Sequence, residues 1–338
     1  DQAVATPVTE GLIAHNNNVD SNDKALVYDS FVTMVLKEVQ EKTGLDPYND
    51  GLTIETTIDS KAQQRLYDIV NTNDYIQYVN DKIQNAVVML DTKNGAVRAV
   101  NGGRKQTTLL GYNRATDNTR STGSTIKPVI DYGPAIEYLN YSTGQTIMDQ
   151  RTTYSNGVEL NNWDFSHKGA MTLRTALVYS RNTTALQTFK AVGETNIKSF
   201  LNNLDIQIKN DGQDYLVESN SIGADISPIK MAAAYATFGN YGTYSKPYTV
   251  TKVTTRDGQV TEFKPEQNIL IVDGEEFKVH EVSFKFITIG NENVRTAQIM
   301  TYKNGEQHLF HSLDVPAFWD MFDDLNWGKK VFGGYVKI

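Results

Sequence analysis

The sequence predicts an α/β protein, more narrowly an α+β one, in which helices pack against an antiparallel sheet. Two apolar runs, 86–90 and 96–100, lie on either side of Asn94-Gly95, and this arrangement is a strong signal for a β-hairpin. Apolar residues also recur at helical spacing in 26–41 and in several segments beyond residue 170. A hairpin combined with separate helices of this kind is typical of α+β proteins.

Residues 1–80 are predicted to form a small α+β domain ahead of the main one. After a polar entry segment, residues 26–41 have helical spacing, and Gly44 follows at a position typical of a helix end. Residues 52–58 alternate and are rich in Thr and Ile, which favours a strand. Asp59 or Ser60 can then cap a second helix, whose apolar face would consist of Ala62, Leu66, Ile69 and Val70.

Residues 81–267 are predicted to form the main domain, and its sheet starts with the hairpin around Asn94-Gly95. A connection rich in Gly, Thr and Asn leads to a helix over 124–138, and a loop-like stretch follows at 141–169, with Trp163 among polar neighbours. Further helices are expected at 171–179, 183–192, 195–203 and 229–238. A closing hairpin is expected from 248–253 and 260–263.

The pattern changes near residue 268, and residues 268–338 are predicted to form a β-rich tail that resembles nothing recognisable. Short strands are expected at 269–272, 281–287, 297–302 and 307–310, followed by a helix-like aromatic segment at 318–327. The chain is therefore expected to have three parts.

Composition excludes several classes of function. The 338 residues are 21% charged and 39% hydrophobic, as in ordinary globular proteins. A net charge of −8 disfavours nonspecific nucleic-acid binding and leaves no polybasic membrane patch. No apolar run approaches the roughly 20 residues of a membrane span, so no membrane anchor is expected in this chain. Because cysteine is absent, disulfides and thiol catalysis are excluded.

The sequence Ser124-Thr-Ile-Lys127 is the leading candidate for a catalytic element. A serine and a lysine three residues apart place a hydroxyl and an amine on one face of a helix. Ser124 lies at a predicted helix start, where unpaired backbone N–H groups favour developing negative charge, and a lysine shielded from water can act as its base. The spacing alone is weak, because it also occurs at 21–24 and 227–230.

Ser180-Arg-Asn182 is the one Ser-x-Asn sequence of the chain, and it follows the predicted helix 171–179. Ser180 could relay a proton between Lys127 and a leaving amine, and Asn182 could bond both Lys127 and a substrate amide. An ordinary turn between two helices also explains the sequence, since Ser and Asn are common turn residues. Taken alone, the short motif favours the turn.

Together these residues resemble the transpeptidase domain of class A penicillin-binding proteins. The resemblance extends from about residue 25 to about residue 266, and streptococcal and related Gram-positive members are the most similar. It implies that residues 1–80 are a linker domain and that the main domain has the penicillin-binding and serine β-lactamase-like fold, with helices on both sides of an antiparallel sheet. The residues that carry it are Gly-Ser124-Thr-Ile-Lys127-Pro, Asn162-Trp163-Asp164, Ser180-Arg-Asn182 and the segments 222–228 and 232–239.

The resemblance implies a serine D,D-transpeptidase that cross-links the stem peptides of bacterial peptidoglycan, with β-lactam antibiotics as covalent inhibitors. Ser124 would be the acylated nucleophile, Lys127 its base and Ser180 the proton shuttle. Asn182 would contact the substrate amide, and Trp163 would be an aromatic beside the groove, although a core or loop-anchor role is equally open for Trp163. No metal or organic cofactor is needed, and the substrates would lie outside the cytoplasmic membrane.

One element of the family is not found. Its third motif, Lys-Thr/Ser-Gly, lies on an inner strand well after the Ser-x-Asn motif. The Lys-Thr-Gly at 42–44 precedes Ser124 and closes a predicted helix, and the Lys-Asn-Gly at 303–305 is explained by a hairpin turn. The family's glycosyltransferase domain is also missing. A non-catalytic or truncated module, a β-lactamase or D,D-carboxypeptidase, and a tail that acts as a separate interaction domain therefore stay open.

Overall fold

The computed structural model describes two compact units. The described backbone comprises residues 19–117, 119–240, 242–263, 269–272, 275–289, 292–303 and 306–311, and the described side chains are those of 25–117, 119–240 and 242–263. The first unit contains the described residues up to 117 together with 227–236 and 245–263. The second contains 119–226, 237–240, 242–244 and the described residues from 269 onwards.

Helices and short strands alternate irregularly along the chain. The elements are, in order, α1 (Val19–Thr43), β1 (Thr53–Thr56), α2 (Ser60–Asn71), β2 (Val87–Leu90), β3 (Val97–Asn101), β4 (Arg120–Ser121), a 3₁₀ helix (Gly123–Ile126), a π-helical turn (Pro128–Tyr132), α3 (Gly133–Leu139), β5 (Thr146–Asp149), β6 (Thr152–Thr153), β7 (Glu159–Leu160), β8 (Gly169–Thr172), α4 (Leu173–Val178), α5 (Asn182–Val192), α6 (Glu194–Asn203), a second 3₁₀ helix (Glu218–Ile222), β9 (Asp225–Ile226), α7 (Pro228–Gly239), β10 (Val250–Thr254), β11 (Val260–Glu262), β12 (Ile269–Val272), β13 (Glu275–Ile289), β14 (Glu292–Lys303) and β15 (Glu306–His311).

In the first unit, α1 packs against antiparallel strands. The predicted hairpin is present as β2 and β3, with Val88 opposite Val100, and a second sheet has the strand order β1-β10-β11. Apolar residues that recur at helical spacing in α1 contribute to the core of the unit, as expected of an amphipathic helix. The core of the unit consists of Phe31, Val35, Val39, Val97, Val100, Ala115, Val250 and Val253.

The predicted ends of the first two helices are confirmed. Helix α1 ends at Thr43, and Gly44 follows with a φ of 71°, a conformation that glycine adopts without strain. Asp59 caps α2, because its Oδ1 accepts hydrogen bonds from the N–H groups of Lys61 and Ala62, both at 3.0 Å.

The helix predicted over 124–138 is present, but it is not one regular α-helix. It starts as a 3₁₀ helix, passes through the π-helical turn and becomes α-helical only in α3. Pro128 and Pro134 explain the irregularity, because a proline lacks an N–H and its ring crowds the preceding turn. Single π-helical turns of this kind are frequent at functional sites.

The stretch 141–169 was expected to be loop-like, and here the prediction misses short strands. Strand β5 pairs antiparallel with β8, and β6 with β7. These strands have only two to four residues, too few for their alternation to be recognised in the sequence. The helices predicted at 171–179, 183–192, 195–203 and 229–238 are confirmed as α4, α5, α6 and α7.

The four strands predicted beyond residue 268 are also present. They form an antiparallel sheet in chain order, β12 to β15, in which β13 and β14 are longer than expected. Lys303 lies opposite Glu306, while Asn304 and Gly305 lie outside the described residues. The helix-like segment expected at 318–327 also lies outside them.

The domain bounds at residues 80 and 267 stay a prediction. The structure shows that β1 and β10, which come from the two sides of residue 80, pair in one sheet. Within the described residues, no helix combines the length and the apolar character needed to cross a membrane.

Candidate active site

Ser124 and Lys127 lie at the 3₁₀ helix that begins the irregular helix. The Lys127 N–H donates to the Ser124 carbonyl, and residues three apart in a 3₁₀ helix lie one above the other. Ser124 is exposed, whereas Lys127 is completely buried. The preceding Thr122 holds this segment, because its N–H donates to the Ala224 carbonyl at 2.9 Å. The predicted pair therefore combines a hydroxyl open to solvent with a shielded amine.

The Lys127 amine reaches the second predicted motif, 53 to 55 residues further along the chain. Its Nζ donates to the Ser180 carbonyl at 2.8 Å, to Ser180 Oγ at 3.2 Å and to Asn182 Oδ1 at 2.8 Å. None of these contacts involves the Ser124 hydroxyl. The fold thus brings Lys127, Ser180 and Asn182 together, and Ser124 lies one 3₁₀ turn before the lysine.

Burial controls the protonation of Lys127. Removal from water lowers the pKa of Lys127 to about 8, while the Asp131 carboxyl acts to raise it and the Arg181 guanidinium to lower it. At pH 7, a pKa of about 8 leaves roughly one amine in ten neutral. A neutral amine keeps two N–H donors, which the Ser180 carbonyl and Asn182 Oδ1 can accept, and this leaves one lone pair that can take a proton from a hydroxyl. Of these partners, only the Ser180 hydroxyl can either donate or accept.

The turn between α4 and α5 directs the second motif. Ser180 has a φ of 50°, in the left-handed region, and its N–H donates to the Leu177 carbonyl at 2.9 Å. The Arg181 N–H donates to the Ala176 carbonyl at 3.0 Å, and α5 begins at Asn182. The motif forms a turn between two helices, and it also contacts the Lys127 amine. The two interpretations drawn from the sequence are therefore compatible.

Arg181 lies between the two motif side chains and was missed by the sequence reasoning. It is completely buried, and its Nε donates to Asp149 Oδ2 at 2.8 Å. Its Nη1 donates to both oxygens of Asp164, at 3.0 and 2.9 Å, and its Nη2 to the Ser166 carbonyl. Asp149 lies 32 residues away, so no local spacing rule could have found the pair.

Trp163 lies beside the same turn. The residue is 68% exposed, and its Nε1 donates to the Tyr179 carbonyl at 3.1 Å. The ring is therefore anchored to the turn through its indole N–H and leaves most of its apolar surface in solvent. Contact between Trp163 and a substrate stays a prediction.

Asp131 is a second ionisable group that the sequence reasoning missed. It follows Lys127 by four residues in the π-helical turn and is completely buried. Neither of its carboxyl oxygens has a hydrogen-bond partner among the described residues. Burial raises the pKa of Asp131 well above its usual range, although nearby Lys127 acts to lower it.

The Lys-Thr-Gly sequence at 42–44 closes α1, as the sequence predicted. Lys42 Nζ donates to Glu38 Oε1 at 2.6 Å, and Thr43 Oγ1 donates to the Val39 carbonyl at 2.7 Å. Both side chains therefore bind α1 itself. The helix-end interpretation of this sequence is confirmed.

An exposed serine followed by a shielded lysine is one arrangement that can support acyl transfer. The family model described as the penicillin-binding protein transpeptidase domain matches residues 85–281, more than half of the chain. The chain belongs to the penicillin-binding protein transpeptidase family.

Curated relatives include penicillin-binding proteins 1A. The chain is 40% identical over 260 residues to penicillin-binding protein 1A/1B of Bacillus subtilis, covering 75% of this chain and 28% of the relative. It is 37% identical over 271 residues to penicillin-binding protein 1A of Streptococcus oralis, covering 78% and 42%. The predicted resemblance, including its streptococcal members, is confirmed. The chain spans less than half the length of either relative.

Solved structures show the same fold. The penicillin-binding protein PonA1 of Mycobacterium tuberculosis matches with a TM-score of 0.60 and 22% identity, covering 83% of this chain and 80% of that one. Penicillin-binding protein 1A of Haemophilus influenzae matches with a TM-score of 0.55 and 21% identity, covering 70% and 50%. The predicted penicillin-binding transpeptidase fold is therefore confirmed.

Proposed function

We propose that this chain carries a peptidoglycan D-alanyl-D-alanine transpeptidase domain that works through an acyl-enzyme on Ser124. The observation that carries the proposal is the buried Lys127 amine, held by Ser180 and Asn182 and placed one 3₁₀ turn after the exposed serine. Membership of the penicillin-binding protein transpeptidase family supports the same activity.

In the acylation step, neutral Lys127 accepts the Ser124 hydroxyl proton while Oγ attacks the carbonyl carbon between the two D-alanines. The new O–C bond replaces the C–N bond, and the terminal D-alanine leaves once its nitrogen has taken the proton. Ser180 relays this proton, because its hydroxyl can either accept from or donate to Lys127 Nζ. The amine of a second stem peptide then attacks the ester carbonyl. The new C–N bond replaces the C–Oγ bond, and a proton of the amine passes through Lys127 to the Ser124 oxygen.

Asn182 and Trp163 hold the substrate in this proposal. Asn182 Oδ1 accepts from Lys127 and its Nδ2 donates to the Asn161 carbonyl at 2.8 Å. The amide also has a second N–H and a second lone pair, and these suit the two sides of a substrate peptide bond. The exposed ring of Trp163 offers apolar surface beside them.

Partners and location follow from the same proposal. The partners are stem peptides of peptidoglycan, and β-lactam antibiotics acylate Ser124 in place of the substrate. Penicillin-binding protein A of Mycobacterium tuberculosis has been solved as an imipenem acyl-enzyme complex, which supports covalent inhibition here as well. Because peptidoglycan lies outside the cytoplasmic membrane, the domain works on the outer face of that membrane.

A non-catalytic penicillin-binding module is the second candidate. The single Lys-Thr-Gly sequence of the chain ends α1, so it does not act as the family's third motif. Loss of one oxyanion donor costs on the order of a hundredfold or more in rate. Under this alternative, acylation is slow and no cross-linking follows.

Fluorescent penicillin tests the proposal directly. The chain is incubated with the labelled antibiotic, and adducts are located by mass spectrometry of proteolytic peptides. We expect one covalent adduct on Ser124, absent in Ser124→Ala and retained in Ser21→Ala, which changes a serine with the same spacing to lysine. Formation of cross-linked product from stem-peptide donors and acceptors then separates a transpeptidase from a binding module.

The other outcomes are equally clear. No adduct at any concentration would overturn the proposed enzyme. Steady hydrolysis of the antibiotic would favour a β-lactamase, and release of D-alanine without cross-linking would favour a carboxypeptidase. A stable adduct without either product would favour the non-catalytic module.

A further inference from the structure

Residues 161–163 form a clamp segment that contacts the turn at 179–183. The Asn161 carbonyl accepts from Asn182 Nδ2 at 2.8 Å. The Asn162 Oδ1 accepts from the Asn182 N–H at 2.7 Å and from the next backbone N–H at 3.3 Å. The third residue of the segment donates its indole N–H to the same turn, as described above. Three successive residues therefore hold one turn.

Asn162 acts as the N-terminal cap of α5. Arg181 occupies the position before α5 and makes no side-chain bond to the start of that helix. A helix start leaves backbone N–H groups without partners, and a local Asn or Ser normally accepts from them. Here the acceptor comes from a different segment of the chain, because Asn162 Oδ1 binds the first two N–H groups of α5.

The orientation of the Asn162 amide is fixed by its other side. Asn162 is 1% exposed, and its Nδ2 donates to Asp149 Oδ1 at 2.7 Å and to the Ser166 carbonyl at 2.9 Å. Both partners accept hydrogen bonds, so the nitrogen must face them and Oδ1 must face α5.

Asp149 accepts hydrogen bonds from several parts of this arrangement. Its side chain is completely buried, and it accepts from Thr183 Oγ1 at 2.6 Å, from Arg181 Nε at 2.8 Å and from the Lys168 N–H at 2.8 Å. Burial acts to raise the pKa of Asp149, but the bonds from Thr183, Lys168 and Asn162 together hold that pKa below its usual range. An ionised Asp149 only accepts, which keeps the Asn162 nitrogen turned towards it.

The clamp determines how Asn182 faces Lys127. Asn161 fixes the side-chain nitrogen of Asn182 and Asn162 fixes its backbone. The Asn182 Oδ1 is then left on the side of the Lys127 amine, where it accepts at 2.8 Å. Without the Asn162 side chain, the Asn182 N–H loses its hydrogen bond to Asn162 Oδ1.

We propose that Asn162 is a positioning residue for acylation, which sets the oxygen atoms around the Lys127 amine through the backbone of Asn182. The inference rests on the proposed function, because it assigns Asn162 a part in the reaction of Ser124. Asn162 itself does not touch the substrate.

A matched pair of variants tests this role. Asn162→Ala and Thr183→Val each remove one hydrogen bond to Asp149 Oδ1, of 2.7 and 2.6 Å, and only the first releases the Asn182 N–H. A time course of acylation by fluorescent penicillin separates the affinity before reaction from the rate of bond formation. We expect the rate to fall on the order of 10- to 100-fold in Asn162→Ala with little change in affinity. Thr183→Val should keep a rate within about threefold of the original, because no reacting group is displaced.

A second measurement needs no reaction. Amide hydrogen exchange at Asn182 should accelerate in Asn162→Ala and stay unchanged in Thr183→Val, with the melting temperature recorded for both. Asn162→Ser, which retains a small polar group beside Asp149, replaces the alanine variant if that one does not fold.

The results separate the two proposals. Equal loss of rate in both variants, or a loss confined to affinity, would overturn the positioning role while acylation of the original chain keeps the proposed function. No acylation of the original chain would overturn the proposed function and, with it, the part of Asn162 in that reaction. Unchanged exchange at Asn182 in Asn162→Ala would overturn the positioning role whether or not penicillin reacts.

Discussion

Asp131 and Asp149 are both buried in the second unit, yet their surroundings are opposite. Asp149 accepts four hydrogen bonds, three from side chains and one from a backbone N–H, and its pKa lies below the usual range. Asp131 has no hydrogen-bond partner among the described residues, and burial raises its pKa well above that range. Burial alone would favour the neutral acid in both cases, so the hydrogen bonds are the cause of the difference.

The two aspartates act on the candidate site in different ways. Asp149 holds Arg181 and Asn162 and thereby the turn that carries Ser180 and Asn182. Asp131 makes no such bond among the described residues, and its influence is electrostatic, since it acts to raise the pKa of Lys127. One aspartate fixes geometry and the other affects protonation.

The largest expected effect comes from removing the cationic partner of Asp149. Arg181→Met leaves buried Asp149 without its cationic partner, and we expect a loss of about 3–5 kcal/mol in the free energy of unfolding, measured by urea titration. Arg151→Met is the matched control, because its ion pair with Glu159 is solvent-exposed. We expect a loss of about 1 kcal/mol or less for the control. Equal losses would contradict the assigned role of Arg181.

The pH dependence of stability should then have opposite signs for the two aspartates. The folded pKa of Asp149 is lowered, so its contribution is present above the unfolded pKa and is lost as the pH falls through the folded pKa. The folded pKa of Asp131 is raised, so its contribution is present below the unfolded pKa and is lost as the pH rises through the folded pKa.

Asp149→Asn and Asp131→Asn make this difference measurable. Urea titrations of each variant and the original chain between pH 3 and pH 8 give the stability difference at each pH. We expect slopes of opposite sign that approach about 1.4 kcal/mol per pH unit inside each titration window. Slopes of the same sign would show that hydrogen bonding does not separate the two groups.

The acylation rate should report the influence of Asp131 on Lys127. Because the pKa of Lys127 is about 8, the rate with fluorescent penicillin should rise about tenfold per pH unit below pH 8 and level off above it. Asp131→Asn removes a group that raises this pKa, so the rising limb should move to lower pH. If the rising limb of the pH profile does not move in Asp131→Asn, Asp131 carries no charge that affects Lys127 in this pH range.

The smallest expected effect comes from the other carboxylate that binds Arg181. Asp164 is partly exposed, and Arg181 keeps Asp149 and the Ser166 carbonyl when Asp164 is changed. Asp164→Asn should therefore lower the melting temperature less than Asp149→Asn does. Equal losses in thermal unfolding would show that the exposed partner matters as much as the buried one.

Local sequence rules predicted a large part of the fold. The hairpin around Asn94-Gly95, the cap at Asp59 and the helix end at Gly44 depend on neighbouring residues only, and all three are found. The irregular start of the helix after Ser124 was not predicted, although Pro128 within its first turn could have indicated it. The short strands of 141–169 have too few residues for a periodic signal.

The sequence by itself determined the Ser124–Lys127 spacing, the Ser180-x-Asn182 motif and the order of the helices around them. Only the tertiary structure decided that Lys127 is buried against Ser180 and Asn182, that Arg181 forms a buried ion pair with Asp149, and that Asn162 caps α5. The reason is physical. Spacing within a helix or turn fixes which side chains share a face, whereas burial and hydrogen-bond partners depend on segments that are distant in the chain. These distant contacts set the pKa values of the site.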